Sequence, residues 1–592
     1  MCGFISIVDE NIQLEANEFK KINDLLHHRG PDSGNIFIEH EIALGARRLR
    51  IHDLSENGDQ PFTSRCGRYK IIFNGAIYNY RALRHDLETN GSHFITDTDT
   101  EVLIEGYKNE GVDFVKKLEG MFAYAIYDKH LKEITYFRDH IGIKPLYYYV
   151  NNKTFIASSE IKPILEYPTV KKEINKNVIP EFFAFQSVQL PDTFFKNIYV
   201  FPPASYLKIK IGNRHNLDFV SFWKIDPSRE VSSSPEQLRE ILIKNLDNAW
   251  RNDRRTGIQL SGGIDSSLIA AWSSKILNLK PINSFSVIFN DDERIFYKPR
   301  SEKKYIDEVV DQFGINSNLY LFQPNEVKKA LPRSIWYNEA PITGPSTSLY
   351  YLLAKKIKKH VSVVITGEGV DDIFNGYFDG WNYNGDLMSL FKFFVSDKLI
   401  HELFDINDEN YHLKKIQQLN ESNEFKYMSN PQKTSYLTIK RSLHSLLARH
   451  DRMFMASGIE GRPPFTANNI IDTRFSMKDG SIDHKGYGKY VFKKYAEKYF
   501  PKDFVYRKKI GFSSPYGDWL YDEKYWGSYW KFLDYEIISE FMDVKIVKSI
   551  LDLPDTKKKW TGDNLNFLMS LINFQLWYLM FFDNKKNELF DL

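Results

Sequence analysis

The N-terminal quarter of the chain alternates short apolar and aromatic runs with Gly, Asn and Asp, which is the pattern of short β-strands. The runs read EIALGARRLRI, RYKIIFNGAIYNY, GMFAYAIYD and EITYFRDH. Between them, RALRHDLETNG and TDTEVLIEGYKNEG place apolar residues at helical spacing and end at glycine. The pattern therefore predicts a strand-rich N-terminal unit with a few helices.

After about residue 234 the pattern changes to helices that alternate with short apolar strands. SSPEQLREILIKNLDNAWRN opens with a helix start signal, and TGIQLSGGIDSSLIAAWSSKIL reads as strand, loop and helix. PINSFSVIF and HVSVVITGEG are further candidates for buried strands, which together indicate a parallel sheet with crossover helices. The polar segment KIGNRHNLDFVSFWKIDPSREVSSSPE lies between the two patterns. We therefore predict two domains, residues 2–212 and 234–592, joined by a linker.

The composition agrees with a multidomain globular protein and narrows its partners. A chain of 592 residues is too long for one core, and roughly two to four domains are expected. The 79 Lys and Arg residues nearly balance the 77 Asp and Glu residues, which argues against a nucleic-acid or membrane partner. Two cysteines cannot form a disulfide framework, and the N-terminus lacks the pattern of a signal peptide, so we expect a cytoplasmic protein.

The most apolar stretch runs from Leu565 to Phe582 and is long enough to suggest a membrane span. Four polar residues interrupt it: Asn566, Ser570 and Asn573, which recur at helical spacing as one stripe, and Gln575. We therefore predict a buried C-terminal helix instead of a membrane span.

The segment QLSGGIDSS, Gln259 to Ser267, follows an apolar strand and opens a helix. Its two glycines let the backbone approach a ligand, and the amides that follow form a helix N-terminus, which binds anions. It lacks the lysine of the GxxxxGK[ST] loop, which disfavours γ-phosphate transfer of that type. An ordinary Gly-Ser turn is the alternative. The strand–loop–helix context favours a phosphate site, in which the Asp265 carboxylate would require Mg²⁺.

One of the two cysteines stands directly behind the initiator methionine, in the opening MCGF. Chain termini tolerate almost any residue, so position alone favours chance. The alternative is that Met1 is removed and Cys2 becomes a nucleophile. Its own α-amine, with a pKa of ~8 against ~8.5 for the thiol, would then act as its base. The other motifs decide between these two interpretations.

Several segments resemble one enzyme family. QLSGGIDSS resembles the pyrophosphate loop of the ATP pyrophosphatases, and TGEGVDDIFNGY (366–377) resembles the GEGxDExFGGY segment of glutamine-dependent asparagine synthetases. Further matching segments follow in the family's order: RHDRMFMASGIEGRPPF (449–465), KYVFKKYAEKYFP from Lys489, RKKIGFSSPYGDWL (507–520) and the closing LINFQLWYLMFF. In the N-terminal half, HHRGPDSG, LGARRLRIHDL, NGAIYNY, TDTDTEV, GMFAYAIYD and RDHIGIKPLYY resemble the N-terminal-nucleophile amidotransferases.

The resemblance spans essentially the whole chain and implies both a fold and a reaction. The implied fold is an αββα Ntn-hydrolase sandwich followed by a doubly wound parallel α/β sheet of the PP-loop ATP pyrophosphatase type with added helices. In the implied reaction, Cys2 hydrolyses glutamine, and the ammonia travels internally to a carboxylate that ATP has activated as an acyl-adenylate. Aspartate is the default acceptor, which gives asparagine, AMP and pyrophosphate. ATP and Mg²⁺ are the implied cofactors, the other partners are small molecules, and the resemblance allows a homodimer.

The resemblance also assigns roles to residues of this sequence. Catalytic roles fall on Cys2, Asn74, Gly75, Glu368 and Lys489, and glutamine-binding roles fall on Arg48 for the α-carboxylate, Asp99 for the α-amine, and Asn74. ATP-binding roles fall on Leu260, Ser261, Gly262, Gly263, Asp265, Ser266, Ser267, Val287, Thr366 and Gly367, and Mg²⁺ is assigned to Asp265 and Asp371. Taken singly, Glu368 could equally cap a helix, and Lys489 could lie on the surface.

The sequence departs from the family's usual pattern at several positions. Ala76 replaces the Glu of NGEIYNY, and a lost charge-assisted contact would cost roughly 1.5–3 kcal/mol, so we expect weaker glutamine binding with intact chemistry. GVDDIFNGY, PFTANN and NEAPITGPSTS differ from the usual synthetase segments, which leaves a sugar uronate or a natural-product acid as a second class of acceptor. A ring-closing ATP-dependent cyclase and a catalytically silent relative are two further hypotheses. The retained Cys2, Asn74 and Asp99 argue against a cyclase.

Overall fold

The computed structural model of the chain describes residues 2–12, 14–212, 217–227, 233–289, 302–342, 346–377, 394–406, 423–507, 527–551 and 563–591. Three segments named above lie partly outside these ranges: residues 508–520 of RKKIGFSSPYGDWL, 343–345 of NEAPITGPSTS, and 213–216 and 228–232 of KIGNRHNLDFVSFWKIDPSREVSSSPE are not described. The strands are β1 (Cys2–Asp9), β2 (Ser33–Glu39), β3 (Ile42–Arg48), β4 (Phe62–Thr63), β5 (Tyr69–Ile77), β6 (Gly120–Asp128), β7 (Glu133–Arg138), β8 (Tyr147–Val150), β9 (Thr154–Ser158), β10 (Ile198–Val200), β11 (Ser205–Lys210), β12 (Val220–Ser221), β13 (Thr256–Gln259), β14 (Asn283–Ile288), β15 (Asn316–Leu321), β16 (Val363–Ile365) and β17 (Glu460–Arg462).

The α-helices within the described ranges are α1 (Ala16–Asp24), α2 (Tyr80–Thr89), α3 (Asp99–Glu110), α4 (Ile161–Leu165), α5 (Ile179–Phe185), α6 (Pro235–Trp250), α7 (Ile264–Lys275), α8 (Lys303–Phe313), α9 (Pro324–Asn338), α10 (Ser346–Ile357), α11 (Val370–Ile373), α12 (Asp397–Phe404), α13 (Asn430–Thr438), α14 (His444–Met455), α15 (Asn468–Phe475), α16 (Asp479–Ile482), α17 (Tyr490–Ala496), α18 (Lys502–Val505), α19 (Tyr535–Ser539), α20 (Val544–Leu551), α21 (Asp563–Phe581) and α22 (Lys586–Phe590).

The N-terminal domain is a sandwich of two six-stranded sheets. One sheet has the order β10-β8-β9-β1-β3-β2 and the other has the order β12-β11-β7-β6-β5-β4. Neighbouring strands in both sheets run antiparallel. Apolar side chains of both inner faces form a common core, which includes Phe4, Leu44, Ile72 and Ala125. Helices α2 and α3 cover the outer face of the second sheet and α1 packs on the first, so the predicted αββα sandwich is confirmed.

The C-terminal domain contains a five-stranded parallel sheet of order β15-β14-β13-β16-β17. The chain enters at the central strand β13, proceeds outward through β14 and β15, and then crosses to β16 and β17 on the other side. The strand order therefore reverses next to β13, and open α/β sheets bind their ligands in the crevice at such a point. The predicted parallel α/β domain is confirmed, and the QLSGGIDSS and TGEGVDDIFNGY loops both leave strands at this crevice.

The apolar C-terminal helix α21 is buried between the two domains. Phe567, Leu568, Leu571 and Trp577 on it are fully buried, and so are Asn573 and Gln575 of its polar residues. The ring of Trp577 lies 5.1 Å from Phe194 and 5.4 Å from Phe195 of the N-terminal domain, measured between ring centroids. Within the ranges that the structure describes, no helix is long and apolar enough to cross a membrane. The prediction of a buried helix is thus confirmed.

The described part of the segment predicted as a linker makes specific contacts with both domains. In its described part, β12 pairs with β11, and Trp223 donates its Nε1–H to Asp472 of the C-terminal domain at 3.2 Å. Buried ion pairs also cross the domain interface, because Asp451 on α14 accepts from Arg29 at 2.7 Å and from Lys144 at 2.9 Å. These contacts hold the two domains in one arrangement. The exact boundaries at residues 212 and 234 stay a prediction.

Candidate active sites

Cys2 is the first residue of β1 and lies opposite Arg48 of β3. It is 6% exposed. Its backbone N–H donates to Asn74 Oδ1 at 3.3 Å, and its carbonyl oxygen accepts from Arg29 Nε at 3.2 Å. The side-chain amide nitrogen of Gln60 lies 4.0 Å from the sulfur. The residue predicted as nucleophile is therefore held through its backbone on both sides, with the thiol facing an amide donor.

The surroundings of Cys2 supply the parts that an acyl-transfer site needs. Burial raises the pKa of the thiol, and the charge of Arg48 lowers it in part, so deprotonation requires a nearby base. Asn74 is fully buried on β5, and its Nδ2 has no hydrogen-bond partner among the described residues. A Cβ at Gly75 would lie 2.2 Å from the Met121 carbonyl oxygen, so only glycine fits there. Asn74 can thus offer a free donor to a developing oxyanion.

Arg48 and Asp99 are predicted to bind the α-carboxylate and the α-amine of glutamine. They differ in how far their side chains are already bonded to other groups of the protein. Both terminal nitrogens of the Arg48 guanidinium already donate to the loop that follows β3, with acceptors His52 O, Asp53 O, Ser55 O and Asp59 Oδ1 at 2.8–3.0 Å. Asp99 begins α3, is 5% exposed, and accepts from the Ile77 N–H at 3.0 Å. Burial raises the pKa of Asp99 to about 6, against the lowering effect of that N–H. Arg48 therefore holds the loop that follows β3, whereas Asp99 presents a buried carboxylate that a cation would stabilise.

The QLSGGIDSS segment forms a loop between β13 and α7 at the crevice of the parallel sheet. Gly262 adopts a positive φ of 76°, which lets the chain turn, and Gly263 precedes the first turn of α7. Ser266 Oγ donates to Gly263 O at 3.1 Å and accepts from the Ser261 N–H at 3.2 Å, so this hydroxyl fixes the loop. The loop therefore places backbone amides at a helix N-terminus, which is the expected geometry of an anion site.

A cleft of about 300 Å³ opens at this loop. It is lined by most of the residues predicted to bind ATP, namely Leu260, Ser261, Gly263, Asp265, Ser266, Val287, Thr366 and Gly367, and by the predicted Glu368, Asp371 and Lys489. Ser267 and Thr366 are almost fully buried beside it, and neither hydroxyl has a hydrogen-bond partner within the described part of the chain. Buried hydroxyls without partners are costly, so a ligand that bonds to them would stabilise the cleft.

Asp265, Asp371 and Lys489 form a buried cluster in the cleft. Lys489 Nζ lies 2.8 Å from Asp265 Oδ2 and 2.7 Å from Asp371 Oδ1. Burial lowers the pKa of Lys489, but the two carboxylates raise it further, to above its usual value. A Cβ at Gly376 would lie 1.9 Å from Asp371 Oδ1 and 2.7 Å from the Lys489 stem, so this glycine makes room for the pair. Lys489 is 5% exposed and is therefore not a surface lysine.

The cluster fits a magnesium–phosphate group. Mg²⁺ is bound through one or two protein carboxylates and completes its shell with phosphate oxygens and water. Asp265 and Asp371 converge on a single cation here, the Lys489 ammonium, so their oxygens can converge on another. Among the residues described, no group of three or more His, Cys, Asp or Glu side chains could hold a metal alone. The donor set thus suits an ion that arrives with a nucleotide.

Glu368 also lines the cleft and contacts a tyrosine. The Tyr350 hydroxyl donates to Glu368 Oε1, and the Arg449 guanidinium lies 5.3 Å from the Tyr350 ring centroid. Burial, and then the charge of Glu368, raises the pKa of Tyr350 well above its usual value. Gly369, not Glu368, is the N-cap of α11, so the helix-cap interpretation of Glu368 does not hold.

Several residues of these sites were not singled out from the sequence. Gln60 and Arg29 contact Cys2, Tyr350 contacts Glu368, and Arg449 and Arg507 line the cleft. Arg507 donates to Gly262 O at 2.9 Å and thereby supports the phosphate loop. Arg29, Arg449 and Arg507 lie in segments quoted for the resemblance, so that signal was present. Gln60 and Tyr350 carry no local signal, because ordinary Gln and Tyr residues become informative only through their tertiary neighbours.

Comparisons with known proteins cover both halves of the chain. Residues 1–223 match the family described as "Glutamine amidotransferase domain", and residues 237–579 match the family described as "Asparagine synthase". "Asparagine synthetase [glutamine-hydrolyzing] 1" of Bacillus subtilis is 29% identical over 575 residues, which is 88% of each chain. "Asparagine synthetase [glutamine-hydrolyzing] 3" of the same organism is 28% identical over 544 residues, 87% of each chain. The solved glutamine phosphoribosylpyrophosphate amidotransferase of B. subtilis is similar at 19% identity and a TM-score of 0.29, over 51% of this chain and 70% of that one.

Proposed function

The chain belongs to the asparagine synthase family, and on that premise we propose that it is a glutamine-dependent asparagine synthetase. In this proposal the N-terminal site releases ammonia from glutamine, and the C-terminal site transfers it to ATP-activated aspartate. One observation carries the proposal: a buried, backbone-anchored Cys2 and a phosphate-loop cleft occur in one chain whose domains are joined by buried ion pairs. The relatives named as asparagine synthetases support aspartate as the acceptor.

The first half-reaction begins once Met1 has been removed. The α-amine of Cys2 takes the thiol proton, and the sulfur attacks the carboxamide carbon of glutamine. Asn74 Nδ2 and the Gly75 N–H donate to the resulting oxyanion, and Asp99 binds the α-ammonium group. The carbon–nitrogen bond breaks, ammonia leaves with the proton, and water then hydrolyses the thioester to glutamate. Arg29 and Gln60 hold the nucleophile in position during these steps.

The second half-reaction takes place in the cleft of the C-terminal domain. The acceptor carboxylate attacks the α-phosphorus of ATP, and pyrophosphate leaves toward the amides of the 261–263 loop. Mg²⁺ held by Asp265 and Asp371 would supply positive charge to the phosphates. Ammonia then attacks the acyl carbon, AMP leaves, and Glu368 accepts the proton that the amine loses. Lys489 stabilises the charge on the phosphate during both steps.

Pyrophosphate release with a panel of carboxylates tests this proposal directly. The chain is incubated with ATP, Mg²⁺ and glutamine, and each acceptor is added singly: aspartate, glutamate, a hexuronate, or none. We expect pyrophosphate and AMP to form in equal amounts with aspartate only, together with asparagine. Turnover with the hexuronate and none with aspartate would show that the acceptor is a sugar uronate and not aspartate. Pyrophosphate release that needs neither glutamine nor ammonium salt would instead identify a cyclase.

A further inference from the structure

His450 is a buried histidine that no step above uses. It lies on α14 (His444–Met455), is 3% exposed, and packs its ring 4.4 Å from the Phe454 ring. Its Nε2 has no hydrogen-bond partner among the residues that the structure describes. A buried ring nitrogen without a partner costs free energy, so a ligand that bonds to it would offset that cost.

One side of the His450 ring packs near Tyr350, which lines the ATP cleft, although His450 itself does not line it. Its centroid lies 6.0 Å from the ring of Tyr350, the tyrosine that donates to Glu368. The charges of Glu368 and Arg449, which both line the cleft, act on the imidazole. Burial nevertheless lowers the pKa of His450 to about 4, so the ring is neutral near pH 7.

The other side of the ring lies against β17, the edge strand that faces the N-terminal domain. A Cβ at Gly461 would lie 2.4 Å from His450 Cε1, so the imidazole rests directly on the backbone of this strand. Glu460 and Arg462 flank Gly461, are fully buried, and pair at 2.6 Å. The Arg462 guanidinium lies 5.7 Å from the Tyr78 ring centroid, and both charges act on Asp99 of the glutamine site. Strand β17 therefore separates the two candidate sites, and His450 lies on its cleft side.

The ionisable side chains near β17 carry a charge, whereas the imidazole of His450 is neutral. Glu460, Arg462, Lys144 and Asp451 are all charged and held in buried ion pairs. A carboxylate would retain ammonia as ammonium, and a cation would repel that ion. A neutral imidazole nitrogen can accept one N–H of ammonia, and it does not take the proton, because its conjugate acid is far more acidic than ammonium.

We propose that His450 receives ammonia at Nε2 as it passes β17 and hands it to the Glu368 side of the cleft. This inference rests on the proposed function, in which ammonia moves inside the protein. The step forms one hydrogen bond and breaks it again; no covalent bond changes and no proton is transferred. The imidazole thereby directs glutamine-derived nitrogen to the acyl-adenylate and limits its escape to solvent.

The test measures how much glutamine nitrogen reaches the product. Glutamate and amide product are quantified in one reaction for the wild type, His450→Leu, which removes the acceptor nitrogen, and His450→Gln, which keeps an acceptor oxygen. We expect the ratio of amide to glutamate to fall at least fivefold in His450→Leu and to stay within twofold of the wild type in His450→Gln. Synthesis from saturating ammonium salt should change by less than twofold, because that ammonia does not have to cross β17.

A matched control comes from the same helix. His444 is also a buried histidine, whose ring nitrogen lies 3.2 Å from Arg138, so His444→Gln should leave the ratio unchanged. An unchanged ratio in His450→Leu, or an equal loss of glutamine- and ammonia-dependent synthesis in a folded variant, would overturn the inference. If His450→Leu does not fold, His450→Ala provides a smaller replacement that also lacks a hydrogen-bond acceptor, and the same ratio of amide to glutamate is measured. A wild type that makes no amide from either nitrogen source would instead overturn the proposed function.

Discussion

The two candidate sites of this chain are built in different ways. Around Cys2, the contacts are made largely by backbone groups: its N–H and C=O are both bonded, it pairs with Arg48 across two strands, and Asp99 accepts from a backbone N–H. In the cleft, Asp265, Asp371 and Lys489 come from three distant segments and meet only through side-chain charges. One site is fixed by the sheet, and the other by an ion-pair cluster.

The two sites should therefore respond differently to their ligands. In the proposed function, glutamine would meet donors that the fold already holds in place near Cys2, so little reorganisation would accompany the chemistry. In the proposed function, a nucleotide with Mg²⁺ would meet a cluster whose charges already compensate one another, and it would have to exchange the Lys489 contacts for new ones. The side chains of the cleft should therefore rearrange when a ligand binds, whereas those around Cys2 are already positioned by the fold. A substitution in one site should accordingly leave the other site active.

The largest expected effect comes from Cys2→Ala. The sulfur is the only proposed nucleophile toward glutamine, so glutamine-dependent synthesis should fall to background. Ammonium-dependent synthesis should stay within twofold of the wild type, because the cleft is untouched. Glutamate release and pyrophosphate release, assayed separately, check both statements. An equal loss of the two activities would contradict the independence of the sites.

The converse change is Asp371→Asn, which removes one carboxylate from the cation cluster. Pyrophosphate release should fall about 10²–10³-fold, as expected for the loss of one preorganised electrostatic contact. Glutamine hydrolysis measured without ATP should be unaffected. Asp372→Asn is the matched control, since this neighbouring carboxylate accepts from Ser442 at 3.0 Å and does not line the cleft. A similar loss in both variants would show a structural effect and not a catalytic one.

The pH dependence of glutamine use should report Asp99. Its pKa is raised to about 6 by burial, so below that pH the carboxyl is protonated and loses its attraction for the glutamine α-ammonium. The kcat/KM for glutamine should fall about tenfold per pH unit below 6, while ammonium-dependent synthesis measured at equal free ammonia follows a different profile. Burial lowers the pKa of His52 to about 3, so this neighbour does not titrate in that range. An acid limb that persists in Asp99→Asn would assign the titration to another group.

The smallest expected effect belongs to Ala76→Glu, which restores the residue usual in the family. Ala76 lies on β5 opposite Met121 and is 1% exposed. A second carboxylate for the glutamine amine should lower the glutamine KM about tenfold, matching one charge-assisted contact of roughly 1.5 kcal/mol. The kcat should change little. A wild-type KM that Ala76→Glu leaves unaltered would refute the proposed weakness of the glutamine site.

The fold was largely predictable because its pattern is local. The alternating runs of the first domain became β3, β5, β6 and β7, and the strand–loop–helix pattern of TGIQLSGGIDSSL became β13 and α7. The helix start predicted from SSPEQLRE is also confirmed, because Ser234 is the N-cap of α6 and forms a capping box with Gln237. Such signals depend on neighbours in sequence, so they can be read without tertiary information.

The sites were predictable only in part, because their contacts are not local. The resemblance pointed to Asp265, Asp371 and Lys489 as separate site residues. It did not predict that the Lys489 ammonium would lie between the two carboxylates, since Lys489 is 224 positions from Asp265 in the sequence. It gave Arg48 to the substrate, although its terminal nitrogens already bond the loop after β3. Tyr350 and Gln60 could not be found at all, since their roles arise from packing. The roles assigned to all these residues stay predictions.

The position of α21 has a consequence for the time course of synthesis. Phe194 and Phe195 of the first domain are covered by Trp577, which leaves the ribosome roughly 380 residues later, on the order of 20 to 80 s at ordinary translation rates. During that interval Phe194 and Phe195 lack the contacts that Trp577 later makes with them. The nascent protein therefore exposes an apolar surface for most of its synthesis, until α21, one of the last helices to be made, packs on the first domain.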